Sequence, residues 1–217
     1  MVDLKDKKFK ANGDFAEFRG NTVVANLYNN EEVMEVVEMI QSEYRKLPFI
    51  DKFTLTPPQS IHMTVHELLC DQNRQKDYWS DHLDLDVPID ETTEYFAKQL
   101  GVFPLVDEDI TMEVEKMGIT NLVVNPADEA SDERLKEIRE YISKQTGTRF
   151  PNHDSYQFHI STGYLREELT DEEQKIFKKV RNKMTELLHE KLPTIDIERI
   201  DFTRFDDMTE FIPYGDK

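Results

Sequence analysis

Two short stretches, Ile61-His62-Met63-Thr64-Val65 and Phe158-His159-Ile160-Ser161-Thr162, constrain this chain more than anything else in it. Each places a histidine, one apolar residue and a hydroxyl residue inside apolar, largely β-branched sequence. In a strand, residues two apart face the same way. His62 and Thr64 then share one face, His159 and Ser161 another, while Met63 and Ile160 point into a core. The fold must therefore offer two strands with an apolar side and a side carrying imidazole and hydroxyl. Set across a groove, the two pairs supply a group of four suited to moving a phosphate.

The elements around these strands repeat in order. Asn21 to Leu27 reads as a buried strand, bounded by Gly20 and Asn29-Asn30. Val33, Val36, Val37, Ile40 and Tyr44 have helical spacing within Glu31 to Leu47, which Pro48 ends. Residues 56–60 form a turn into the His62 strand, and 70–86 is a polar loop with a short helix. Pro88 to Leu100 is a helix closed by Gly101. Phe103 to Val106, Ile110 to Met117 and Ile119 to Val124 are strand-like, with Gly118 making the last pair a hairpin. Ser131 opens a helix to about Gln145 that Gly147 ends, and 148–155 turn into the His159 strand. Thr170 to Glu173 has capping-box spacing and begins the longest helix, ending near Leu192-Pro193. Thr194 to Phe205 alternates as one long strand with a bulge.

Both halves thus read strand, helix, histidine strand, helix, strand. Val24 precedes His62 by 38 residues and Val123 precedes His159 by 36, which points to an internal duplication with lobes at roughly 20–117 and 118–207. Residues 1–20, with Phe9, Phe15 and Phe18, read as an ordered arm.

Charge narrows the partners. The net charge of −18 in 217 residues disfavours long nucleic acid, which is held mainly by Lys and Arg on phosphates. A small phosphate-containing substrate remains compatible, and most of the carboxylates serve solubility. No apolar run is long enough to span a membrane, and the first residues lack the apolar stretch of a secretory signal. The single cysteine, Cys70, excludes an internal disulfide and a cysteine-based zinc cage. A cytoplasmic monomer is expected.

Imidazole titrates near neutral pH, so one histidine can take a proton while the other gives one. Phosphodiester cleavage needs both acts, and Thr64 and Ser161 can hydrogen-bond the non-bridging oxygens. No cofactor or metal is required by this chemistry. His62-Met63-Thr64-Val65-His66 does contain His-x3-His, a zinc spacing on a helix. In a strand those rings lie about 13 Å apart, too far for one ion. His66 then shares the groove face with His62, and with Arg74 and Gln157 it is a candidate for the substrate pocket. Arg19, Arg74 and Arg149 can neutralise a phosphate, although solvated arginine is the ordinary state. Tyr78 and Trp79 can stack on a base, but packing is the commoner use of such a pair. Tyr156 and Tyr164 differ in parity from His159, so an unbulged strand buries them. His82, His153 and His189 read as surface histidines. Ser161 lacks the Gly-x-Ser-x-Gly elbow of a hydrolase nucleophile.

The tetrads His62-Met63-Thr64-Val65 and His159-Ile160-Ser161-Thr162 resemble the paired signatures of the two-histidine phosphoesterase superfamily. That superfamily includes RNA 2′,3′-cyclic phosphodiesterases and 2′,5′-RNA-ligase-like proteins. The stretch His62 to Trp79, with Cys70-Asp71-Gln72, Arg74 and Tyr78-Trp79, further resembles a little-characterised microbial branch. The resemblance implies an α+β, bilobal, pseudo-twofold fold, with two mainly antiparallel sheets around a central groove and helices outside. It implies metal-independent cleavage of cyclic or 2′,5′ phosphodiesters, with His62 and His159 as the acid/base pair and Thr64 and Ser161 on the phosphate. The acidic charge departs from members acting on long RNA and favours a small nucleotide or short oligonucleotide. A non-catalytic nucleotide- or RNA-end-binding module using the same groove is the competing reading.

Overall fold

In the computed structural model, which describes residues 7–106 and 110–215, eleven strands and four α-helices follow one another. In chain order the first half holds β1 (Gly20–Asn26), α1 (Glu31–Arg45), β2 (Phe53–Leu55), β3 (His62–Cys70), α2 (Ile89–Leu100) and β4 (Leu105–Val106). Then come β5 (Thr111–Met117), β6 (Asn121–Pro126), α3 (Glu129–Thr146), β7 (His159–Ser161) and β8 (Gly163–Leu165). The chain closes with α4 (Asp171–Lys191), β9 (Thr194–Asp196), β10 (Arg199–Phe205) and β11 (Ile212–Pro213). The first six residues of the expected arm and residues 107–109 lie outside the described part.

The architecture is mixed helix and antiparallel sheet, as expected, but the sheet arrangement differs. Instead of two sheets around a groove there is one nine-stranded sheet, ordered β11-β10-β1-β3-β7-β6-β5-β9 with β4 added to β10. The only other sheet among the described residues is the β2–β8 pair. A single residue pair, Met63 opposite Ile160, joins β3 to β7 and makes the large sheet continuous. Nor do its halves follow the expected sequence boundaries. β5 pairs with β6 and β9, whereas β10, near the C-terminus, pairs with β1. The expected single strand over Thr194 to Phe205 is in fact two, β9 and β10, in opposite halves of the sheet. Buried Ile195 and Ile197 change parity to buried Ile200 and Phe202, and the chain leaves the sheet between them.

The helices form where periodicity and caps place them. Val33, Val36, Val37, Ile40 and Tyr44 of α1 are all buried, and Asn30 caps its first turn by accepting from Val33 N. Gly101 and Gly147 end α2 and α3 with φ of 55° and 67°, a conformation that costs glycine little. Thr170 and Glu173 complete the capping box of α4. α3 begins earlier than expected, because Asp128 rather than Ser131 accepts from the first turn. The Ser131 hydroxyl instead accepts from Thr111 N and ties the helix to β5.

One large core joins buried residues of all four helices to Val23, Ala25, Met63, Leu122 and Ile160 on one sheet face. Burying this face fixes which way the motif strands turn, since a one-residue slip would exchange their faces. On the opposite face lies a second, smaller cluster of Phe18, Val24, Phe205, Met208 and Phe211. The N-terminal arm folds over this region as a small hairpin, with Phe9 bridged to Phe15. Thr54 Oγ1 donates to Gly13 O at 2.9 Å and holds the arm against β2.

Candidate active site

The pairing of Met63 with Ile160 decides the geometry of the site. Ala25 and Leu122 flank that pair, giving a buried row Ala25–Met63–Ile160–Leu122 across four strands. Continuing the register by one residue in each direction gives two rows on the other face. One is Asn26–His62–Ser161–Asn121, and the other is Val24–Thr64–His159–Val123. Each histidine therefore stands beside the hydroxyl residue of the other motif. The two histidines are diagonal neighbours, a relation that separates residues by about 7–8 Å. All four predicted side chains come together on one face, and all four are part-exposed.

The two imidazoles are held in the same way. His62 Nδ1 lies 2.7 Å from Ser60 O, and His159 Nδ1 lies 3.1 Å from Gln157 O. A carbonyl only accepts, so in both rings Nδ1 carries a proton and Nε2 is the nitrogen left for the groove. The surroundings of His62 are the drier. Its ring packs 3.9 Å from that of Phe211, whose carbonyl accepts from Asn26 Nδ2, and Ser60 Oγ ties the same segment down by donating to Met208 O. Desolvation pushes the His62 pKa down to about 4, with the nearby His159 and Lys8 adding to the fall. His62 is thus neutral at pH 7. That His159 influences it electrostatically agrees with their diagonal placement.

Behind the second motif lies a buried cation. Arg139 of α3 donates to Val65 O in β3 and, at 2.8 Å, to His153 O in the turn before β7. Its guanidinium stacks on Tyr156 and Phe158, with ring-centroid distances of 4.6 and 5.7 Å. The Tyr156 ring is in turn 6.4 Å from His159, and its hydroxyl faces Thr64. One arginine therefore ties the first motif strand to the turn that leads into the second. Burial, with Glu67 nearby, raises the Tyr156 pKa, so the phenol keeps its proton.

The three candidate pocket residues do not join this face. His66 is turned away by a bulge: Val23 pairs with His66 but Val24 pairs with Thr64, leaving Val65 as an extra residue in β3. His66 is buried instead, with Nε2 3.0 Å from Thr148 Oγ1 and its ring 5.3 Å from that of His153. Burial and the Arg139 charge hold its pKa well below the ordinary histidine value. Glu67 takes the place on the groove face that His66 was expected to occupy, opposite Thr22. Arg74 clamps its own loop, donating to Leu85 O, Val87 O and Asp71 and stacking on Trp79. The Gln157 side chain donates to Val124 O and Asn125 Oδ1, so its link to the site runs through the carbonyl that holds His159.

Other expectations divide. Arg19 pairs with Asp90 and Asp206, and Arg149 pairs with Glu140 and Asp154, so neither is a free phosphate ligand. Trp79 is buried and donates to Asp84 O, the packing role. His82 and His189 are exposed, but His153 is buried with Nε2 3.2 Å from Glu140 Oε1. Tyr156 reaches the site beside His159 and Thr64, whereas Tyr164 packs against Phe9 and Phe15 of the arm; β7 is only three residues long and parity cannot be carried beyond it. His62 and His66 face opposite sides of β3 and cannot share an ion. Glu140, His153 and Asp154 are the one group of potential ligands within reach of each other among the described residues, and Arg149 already bridges its carboxylates. One cleft, beside α4, is lined by Ile119, Leu165, Phe177 and Arg181 among others and includes neither motif histidine.

The family model labelled 2H-phosphodiest, described as a domain of unknown function (DUF1868), matches residues 8–123. The chain belongs to the 2H phosphodiesterase superfamily. The matched span contains the His62 motif and ends just before α3. The crystal structure of a conserved protein of unknown function, ATU0111 from Agrobacterium tumefaciens str. C58, is similar over almost the whole chain. It is 28% identical, covers 95% of this chain and 88% of its own, and superposes with a TM-score of 0.88. No curated protein matches. Membership in the 2H superfamily supports a phosphoesterase activity in general. No helix among the described residues is long and apolar enough to cross a membrane.

Proposed function

We propose that this 2H protein is a metal-independent phosphodiesterase that cleaves a small cyclic or 2′,5′-linked nucleotide between His62 and His159. The observation that carries the reading is the diagonal pair of imidazoles, each with Nδ1 held by a carbonyl and Nε2 left for the reaction. His62, kept neutral by its dry surroundings, accepts the proton of the attacking water or hydroxyl. His159, part-exposed, acts with both ring nitrogens protonated and gives its Nε2 proton to the leaving oxygen. Thr64 and Ser161, each beside the other motif's histidine, donate to the non-bridging oxygens. Both proton transfers are thereby assigned to side chains, and no step requires a metal.

The same register favours an origin by duplication. Ile160 follows Met63 by 97 residues, and Leu122 follows Ala25 by the same 97. A pseudo-twofold passing through the Met63–Ile160 pair relates His62 to His159 and Thr64 to Ser161.

A panel of nucleoside 2′,3′-cyclic phosphates and short 2′,5′-oligonucleotides tests the function. Turnover should fall by about 10²–10⁴-fold in His62→Ala and in His159→Ala, and EDTA should leave the native rate unchanged. Tight binding of an unchanged nucleotide, with no turnover above the double mutant, would establish the binding-module reading instead.

A further inference from the structure

Among the described lysines only Lys8 and Lys52 are not exposed, and Lys52 is paired with Glu173 at 2.6 Å. Lys8 has no carboxylate partner among the described residues, in a chain with 45 acidic side chains. Its ammonium instead sits over the rings of Phe18 and Tyr164, 5.5 and 5.1 Å from their centroids. Phe18 stacks on Phe205, Phe205 contacts Phe211, and Phe211 covers His62. A continuous aromatic wall therefore runs from Lys8 to the motif histidine. Half-burying an ammonium without an opposite charge is costly, and two aromatic faces offset only part of that cost. The charge of Lys8 disfavours protonation of both His62 and the Cys70 thiol, which lie at the two ends of β3. It hydrogen-bonds neither, so it stands between them along the groove face rather than at the motif itself.

We propose that Lys8 forms an anion subsite, taking a phosphate group of the substrate other than the one held between His62 and His159. The proposal rests on the phosphodiesterase reading above for the position of the scissile phosphate. It narrows the substrate class to nucleotides bearing a second phosphate. The aromatic wall between the two sites provides an apolar surface for the part of the nucleotide that links them. The N-terminal hairpin then contributes to specificity.

Calorimetry on the full chain with adenosine 3′-monophosphate and adenosine 3′,5′-bisphosphate tests this without relying on turnover. The bisphosphate should bind at least about tenfold more tightly to the native protein, the yield of a charge-assisted contact. In Lys8→Met that advantage should fall to about twofold or less, with monophosphate binding changed by less than about twofold. Lys8→Arg should retain the advantage. An equal advantage in native and Lys8→Met proteins would overturn the proposal, as would a matching loss for both nucleotides, which would place Lys8 at the scissile phosphate. Failure of either nucleotide to bind would overturn it too. Loss of the phosphodiesterase reading shows separately, as absence of turnover on the cyclic panel while the two binding ratios still decide the role of Lys8.

Discussion

Phe211→Ala should raise the pKa of His62 and relieve an acid-dependent loss of stability. Phe211 is 6% exposed, and its ring is the closest aromatic neighbour of His62, at 3.9 Å. A fall of the imidazole pKa from 6.5 to about 4 corresponds to about 3 kcal/mol of preference for the neutral ring. That is an upper bound for a ring that is part-exposed. The sign follows from proton binding. Between pH 6.5 and pH 4 the unfolded chain holds a proton that the folded chain refuses, so stability is complete above pH 6.5 and declines as pH falls towards 4. Removing Phe211 admits water to the ring and should bring its pKa back towards 6.5 by about one unit or more. The same change deletes a buried aromatic and should cost about 3 kcal/mol at pH 7. Histidine proton resonances followed against pH give the first quantity, and urea unfolding at pH 7 and pH 5 gives the second. The native-minus-variant difference in stability should be smaller at pH 5. If His62 titrates near 6.5 in the native protein, or near 4 in both proteins, the argument from desolvation is wrong.

Further outcomes follow from the same geometry. Thr64→Ala and Ser161→Ala should each lower kcat/KM by about 10²-fold, the usual loss for one donor to a developing charge, with unfolding midpoints nearly unchanged. Equal activity in either variant would remove that hydroxyl from the site. Arg139→Met should cost about 3 kcal/mol in urea unfolding, because Val65 O and His153 O lose their buried donor. A loss below about 1 kcal/mol would mean that the link between β3 and the turn before β7 is incidental.

The central features were legible because they are local. Helices α1 and α4 are set by apolar spacing and caps contained within their own sequence, and the two motifs carry their facing in a three-residue pattern. What failed to show depended on pairing across the chain. The Val65 bulge reverses His66, and the buried neighbours Leu68 and Leu69 were a visible break in alternation that could have warned of irregularity in β3. Under the proposed duplication the row Ala25–Met63–Ile160–Leu122 sets Val24 against Asn121, where sequence similarity set it against Val123. Short apolar strands tolerate such slips, since several residues in a row are valine-like and only the buried row fixes the register. Phe211 fell in a C-terminal segment without periodicity, and only tertiary contact brings it to His62. Arg74 had the right residue type for a phosphate ligand, but its donors are used by carbonyls of its own loop.

A crystal structure with a nucleoside monophosphate bound would address the arrangement itself. The account requires one phosphate with its oxygens about 2.7–3.2 Å from Nε2 of both His62 and His159, and with Thr64 and Ser161 donating to the same group. A phosphate bound by only one of the two rings, or seated in the cleft beside α4, would contradict it.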